Sequence, residues 1–380
     1  MKASSRGTVD PFIVMDVMEQ ARTLEAAGRH IIHMEVGQPG TPAPAHALRA
    51  AAAAMQDGPL GYTVALGLPQ LRARIAALYD AWYGVDLDPA RVVVTSGSSA
   101  GFLLAFTALF DAGDRLGIGA PGYPSYRQIA KALSLQPVDI PAAAENRYQP
   151  VPSDLDGLNL DGLMVASPAN PTGTMLDADA LGALVEAAQG QGAAFISDEI
   201  YHGIEYEAKA VTALQLTDEA YVINSFSKYF SMTGWRIGWM VVPAAHVRGI
   251  ERLAQNMFIC PPHISQVAAL AALDAGPELQ ANMSVYTANR ALMLDGLPAA
   301  GFPKIAPPDG AFYVYADVSD ITQDSRALAA DILHKAGVAV TPGLDFDPER
   351  GHQTLRFSYA RSTPDIVEGL ARLRSYMQAR

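Results

Sequence analysis

The chain has 380 residues, half of them hydrophobic and 17% charged, enough to fill a large core and too apolar for global disorder. A formal net charge of −12 argues against nucleic acid or an anionic membrane as partner, because both call for a basic surface; it still allows a local basic pocket for a small anion. One cysteine, Cys260, excludes an internal disulfide and fits a reducing cytoplasm, and neither the opening MKASSRGTVDPF nor runs such as ALRAAAAAM and QVAALAALDA reads as a signal peptide or a membrane span.

In chain order, helical spacing predicts helices over Met15 to Ala27, Ala45 to Met55, Leu68 to Trp82 and Ser99 to Phe110. Short apolar runs alternate with helical stretches: RVVVTSG (91–97), RLGIGAPGYP (115–124), GLMVASPANPTG (162–173), AAFISDEIY (193–201), AYVINSFS (220–227) and IGWMVVP (237–243). A further helix is expected over Asp177 to Gln189. Strands alternating with helices predict an α/β domain with a mostly parallel sheet flanked by helices, over residues 46–284. GAFYVYADV (310–318), GVAVTPG (337–343) and TLRFSYA (354–360) read as a separate small sheet covered by helices at Ser325 to Ala336 and Pro364 to Arg380. The N-terminal helix has no place in the central sheet, so residues 1–45 and 285–380 are expected to form a small discontinuous α+β domain.

The unusual polar residues fall at the C-terminal ends of the predicted strands, where open α/β sheets bind ligands. They are Gly97-Ser98-Ser99, Tyr123 after Pro-Gly, Asn170 before Pro171, Asp198 with Tyr201, and Ser225 with Lys228. TSGSSAGF reads either as an anion-binding helix start or as a capped turn. Asp198 is either a carboxylate with a cationic partner or a helix cap, and Asn170 alone is a turn residue. Lys228 and Arg236 lie in SFSKYFSMTGWRIGWM, among aromatic and apolar neighbours. A lysine in dry surroundings is pushed toward its nucleophilic amine, which bonds carbonyl compounds, and Ser225 with Arg236 suits a phosphate.

In this order VGQPGTPAP, GYTVALGLPQLRARIA, VVVTSGSSAGF, APGYPSY, SPANPTGT, SDEIYHGI, SFSKYFSMTGWRIGW, PDGAFYVYADV and TLRFSYA resemble the motifs of fold-type I pyridoxal-phosphate enzymes of the class I/II aminotransferase family, aspartate aminotransferase-like. The likeness covers nearly the whole chain. It implies that Lys228 carries pyridoxal 5′-phosphate as an internal aldimine and then moves the α-proton. Asp198 would bond the pyridine nitrogen, Tyr201 and Asn170 the ring oxygen, and Tyr123 would stack on the ring. Gly97, Ser98, Ser99, Ser225 and Arg236 would hold the phosphate. Arg356 would clamp the substrate carboxylate, with Gly37 and Asn170 close by. Tyr62 would reach the phosphate of a neighbouring subunit, implying a homodimer. No metal site is expected.

Aspartate-specific members of one subgroup carry lysine where this chain has Ser99, so dicarboxylate specificity is not expected unless an arginine from a partner subunit serves instead. The apolar segment VDPFIVMDVMEQA resembles a segment that lies over the substrate pocket in this family, which favours an apolar or aromatic side chain. The resemblance implies a ping-pong aminotransferase taking an L-amino acid and a 2-oxo acid. A carbon–sulfur β-lyase of the same fold is the alternative, because it shares the same lysine, aspartate, tyrosine and arginines. A cofactor-binding transcription regulator is disfavoured by the acidic charge and by a likeness that begins near residue 10.

Overall fold

The computed structural model describes residues 2–380. A seven-stranded sheet runs in the order Val92–Thr95, Gly238–Val241, Tyr221–Ser225, Ala194–Asp198, Gly162–Ala166, Arg115–Ala120, Gln136–Pro141. Gly238–Val241 is antiparallel to both of its neighbours, and the other pairs are parallel. Alternate residues of each strand face opposite sides. Val92, Val94, Leu163, Val165, Phe195, Val222 and Trp239 enter one core, while Val93, Leu116, Ile118, Met164, Ile196, Ile223 and Met240 enter the other. Burial on both faces explains why these strands read as unbroken apolar runs. Ile223 is fully buried between strand and helix, and truncating such a residue to alanine costs roughly 2–5 kcal/mol.

The helices obey local signals. Pro69–Tyr83 opens on proline, whose missing N–H is no loss at that position, and closes on Gly84 at φ 67, a left-handed backbone that suits glycine. Ala45–Asp57 and His263–Ala272 pack through alanines, with Ala47 and Ala51 in one cluster with Ala268, Ala269 and Ala272, so two helix backbones approach closely. The edge strand Gln136–Pro141 was not expected. Its residues are mostly exposed or half-buried and include two prolines, so it carries no apolar run, and such prolines are tolerated only at an edge.

A second, four-stranded antiparallel sheet runs Thr341–Pro342, Thr354–Ser358, Tyr313–Asp317, Lys304–Ala306. The segment expected as one strand over 337–343 divides between two sheets, because Val338–Ala339 pairs parallel with Ile32–His33 near the N-terminus. The helix Ile13–Ala26 buries Val17 and Ala21 against Leu333 and Ala339. The chain thus returns to its own beginning around Phe312, Val314, Phe357 and Met34, which share a core. We propose the division into 46–284 and 1–45 with 285–380. The 24-residue helix Gly276–Ala299 runs unbroken across its boundary at 284. Among the described residues no helix is long and apolar enough to cross a membrane.

Candidate active site

A cavity of about 210 Å³ opens at the C-terminal ends of the parallel strands, between the large sheet and the second sheet. Asp198 ends its strand and is 3% exposed. Its carboxylate accepts from the Tyr126 hydroxyl and from the Ile200 N–H at 3.0 Å. Burial raises its pKa to about 6, against those hydrogen bonds and the positive charge of Lys228. Lys228 follows the next strand, and its Nζ donates to the Gly37 carbonyl at 2.6 Å. Burial, helped by Arg356 and Arg236, lowers the lysine to about 7, with Asp198 pulling the other way. A large fraction of this lysine is therefore free amine at neutral pH.

One end of the cavity is built for an anion. The helix Ser98–Leu109 begins at Gly97, φ 79, with no side-chain cap, so its first N–H groups are free. The left-handed backbone at Gly97 favours glycine, and a Cβ there would also push the Arg236 guanidinium aside. Arg236 has a left-handed backbone at φ 49, is exposed, and donates from Nη1 to the Thr233 carbonyl at 2.9 Å.

The opposite end is buried. Arg356 is 2% exposed, with Tyr313 and Phe346 rings 4.4 and 4.7 Å from its guanidinium carbon. It donates to Asn170 Oδ1 at 2.9 Å, to the Glu35 carbonyl, and to Thr341 Oγ1 at 3.2 Å. Its Nε has no partner. A buried cationic donor left unmatched marks a place for an anionic acceptor. Gly37 lies against the Tyr313 hydroxyl, which any side chain at 37 would displace. That hydroxyl bonds Tyr201 at 2.7 Å, and Tyr201 has its phenol pKa raised by burial.

An apolar part of the remaining wall comes from the N-terminus: Phe12, Val14 and Met15. The helix Ile13–Ala26 has no local side-chain cap. Asp345, distant in sequence, accepts from the Ile13 and Val14 N–H groups at 2.9 and 3.1 Å. Asp10 accepts from Lys131 at 2.7 Å, tying the same segment to the large sheet's helices.

The aminotransferase class I and II family model matches residues 29–373. The chain belongs to this family. It is 46% identical over 382 residues to the valine–pyruvate aminotransferase of Mycobacterium tuberculosis, covering 99% of this chain and 98% of that one. A solved structure from Silicibacter pomeroyi covers all of both chains at 74% identity with a TM-score of 0.96. An aminotransferase structure from Mycobacterium tuberculosis gives a TM-score of 0.98 at 45% identity, again over all of both chains. The protein is thus a fold-type I aminotransferase, a transferase enzyme with the large, mostly parallel sheet of that class.

In this aminotransferase the cavity brings together Gly37, Ser98, Ser99, Tyr123, Asn170, Asp198, Tyr201, Lys228, Arg236 and Arg356. Three expected residues do not line it. Gly97 lies behind Arg236. Ser225 is turned inward, its hydroxyl 3.1 Å from Ile237 O and 2.9 Å from Ser227 Oγ, so Ser227 is the serine that this segment presents to the wall. Tyr62 is 83% exposed, on a loop outside the cavity. Sequence reasoning missed Tyr126 and Tyr313 as site residues. Both sit inside motifs quoted for the resemblance, APGYPSY and PDGAFYVYADV, but neither stands at a strand's C-terminal end.

Proposed function

We propose that the protein is a pyridoxal-phosphate-dependent aminotransferase that moves the amino group of an L-amino acid with an apolar side chain to a 2-oxo acid, by two half-reactions at one site. The observation that carries this is Lys228, a lysine lowered to about 7, sharing one cavity with a deeply buried carboxylate and a buried arginine with an unmatched donor.

The residues fit the cofactor. Arg236 and the uncapped helix start at Gly97, Ser98 and Ser99 would take the phosphate, with Ser225 one layer behind. Asp198 would hold the ring nitrogen protonated, Asn170 and Tyr201 would bond the ring oxygen, and Tyr123 would cover a ring face. Lys228 would hold the cofactor covalently. When bound, pyridoxal phosphate supplies a carbonyl that captures an amine and a ring that takes up electron density. Lys228 Nζ takes the substrate's α-proton as general base, which its lowered pKa suits. Arg356 turns the α-carboxylate so that this proton faces the amine, with Gly37 allowing close approach.

Among the described residues, Lys228, Arg236 and Arg356 are the cations in the cavity wall, and each has a task already. None is left for a second substrate carboxylate. Phe12, Val14 and Met15 offer an apolar surface instead. The similarity to a valine–pyruvate aminotransferase supports the same class of donor and acceptor. We further propose a cytoplasmic homodimer in which the exposed Tyr62 reaches the neighbouring subunit's phosphate site.

The test is a spectral titration of the holoenzyme with single L-amino acids and no oxo acid. Bleaching of the visible band by valine, leucine or methionine, reversed by pyruvate, is the expected result. A band that survives while pyruvate and ammonia accumulate from a β-substituted amino acid would make the protein a lyase. Aspartate and glutamate outperforming the apolar amino acids would overturn the substrate class.

A further inference from the structure

The segment from Glu35 to Gly37 touches both catalytic ends. The Glu35 carbonyl accepts from Arg356 Nη2, and the Gly37 carbonyl accepts from Lys228 Nζ. Yet the segment is weakly held by its own backbone. Met34 is pinned on both sides, by Ala339 O at 2.9 Å and Ser358 N at 2.7 Å. From Glu35 until Gly40, no main-chain group bonds another main-chain group among the described residues. Side chains must fix its place.

Thr341 Oγ1 donates to the Glu35 carbonyl at 2.8 Å, and the Glu35 side chain is a second anchor. It is 0% exposed, an expensive site for a carboxylate. Oε1 lies 2.8 Å from His33 Nδ1, and Oε2 has no partner. The other ring nitrogen, Nε2, lies 3.0 Å from Glu25 Oε1 on the N-terminal helix. A ring with a carboxylate at each nitrogen donates from both, which is the imidazolium form. A charge chain therefore runs from the surface at Glu25, through His33, to a buried carboxylate whose own main chain holds the arginine. A leucine here would cost less if packing were the only requirement.

We propose that Glu35 is a positioning residue for the substrate α-carboxylate, acting through its backbone carbonyl on Arg356. The proposal rests on the reading of Arg356 as the carboxylate arm. Loss of the Glu35–His33 pair leaves the carbonyl held by the Thr341 hydroxyl alone, besides Arg356 itself, and loosens the angle of Arg356. Because amino donor and oxo acceptor share the carboxylate, both should bind more weakly, while the proton transfer at Lys228 is less affected.

The experiment compares Glu35→Leu, Glu35→Gln, His33→Gln and Arg356→Gln holoenzymes. Five quantities are read: KM for an apolar amino acid, KM for its oxo acid, kcat, the dissociation constant of the unreactive acid 4-methylpentanoate from its effect on the visible band, and the melting temperature. Glu35→Leu is expected to raise both KM values and the 4-methylpentanoate constant together by about tenfold, with kcat within about threefold. Glu35→Gln, which keeps the shape, should fall between it and the native protein. If Glu35→Leu does not fold, His33→Gln must give the same split between KM and kcat. Unchanged KM and acid binding in folded variants overturn the proposal, as does a fall in kcat and melting temperature at constant KM. Arg356→Gln separates the two readings. If it too leaves KM unchanged, the carboxylate role of Arg356 falls; if it alone raises KM, only the role of Glu35 falls.

Discussion

Asp198 and Glu199 are neighbours at the end of one strand, and they point to opposite sides of the sheet. Asp198 enters the cavity beside Lys228; Glu199 enters the core beside His202, Tyr83 and Tyr79. Burial raises both acids, Asp198 to about 6 and Glu199 to about 8. The cavity side holds a cation. The core side does not, since burial lowers His202 to about 4 and leaves it neutral. His202 Nε2 faces the Ser167 carbonyl at 2.9 Å and so carries the hydrogen, while Nδ1 accepts from Tyr83 at 2.6 Å. Near pH 7 the cavity acid is largely ionised and the core acid largely protonated. One strand end thus supplies a working charge and a silent acid, and the environment of each decides which.

The largest way to break the cavity side is Lys228→Ala. It removes the covalent anchor, the base and a charge that adds to the hydrogen bonds of Tyr126 and Ile200 in lowering the pKa of Asp198. Turnover should fall by more than about 10⁴-fold, and the visible band of the holoenzyme should vanish. Next is Asp198→Asn, which keeps the shape and removes the charge. It should retain a visible band but lose about 10²–10³-fold in kcat, read by single-turnover kinetics with an apolar amino acid. Near-native turnover in either variant would remove that residue from the site.

Much of this site was legible in the sequence, because strand ends converge by topology and Lys228, Asp198 and Asn170 sit on or just past such ends; Arg356, midway along the strand Thr354–Ser358, was legible only through the resemblance carried by TLRFSYA. The seven-stranded sheet was legible where strands are buried on both faces. Gln136–Pro141 was not, since an exposed edge needs no apolar run. The helix Gly276–Ala299 buries Leu279, Met283, Tyr286, Asn289, Met293 and Leu297 on one face, but a polar Asn289 and prolines near both ends hide that rhythm. Partners across the fold were also hidden. Tyr126 is 72 residues from the carboxylate it serves, and Asp345 is more than 300 from the helix it caps. No local pattern records such a pairing.

The core side is sharpened by Glu199→Gln. An acid raised from 4.5 to about 8 keeps its proton in the folded state while the unfolded chain releases it. The folded protein then binds more protons, so this residue makes stability fall as pH rises from about 4.5 toward 8. Glutamine cannot ionise. The variant should melt higher than the native protein at pH 8, match it more closely at pH 5, and keep kcat within about threefold. An equal difference at both pH values would show that Glu199 is not the titrating group.

The smallest effect on the cavity side belongs to Tyr126→Phe. The Tyr126 hydroxyl donates to Asp198 and holds its pKa down against burial. Phenylalanine fills the same space, where Tyr126 packs on Phe102 at 5.1 Å and Tyr123 at 5.3 Å, so the fold should persist. Without the hydroxyl, Asp198 keeps only the Ile200 N–H and the charge of Lys228, and its pKa rises. A carboxylate with a raised pKa takes up a proton at higher pH as the solution is acidified. The acid limb of kcat/KM should therefore move upward, with a loss of up to about tenfold at pH 7, in line with the roughly 1.5–3 kcal/mol of a hydrogen bond to a charged group partly made up by relaxation. Glu199, on the far side of the sheet, has no contact with this hydroxyl in its own hydrogen-bond set of Ser197, Thr212 and Ala213. The charge of Asp198 also raises Glu199, but less than burial does and less than those three hydrogen bonds lower it, so the pH dependence of melting that Glu199 imposes should change little in Tyr126→Phe, while the acid limb of activity moves. A variant that shifted both together would mean that the two acids titrate as one unit, and the separation of a charged cavity side from a neutral core side would fail.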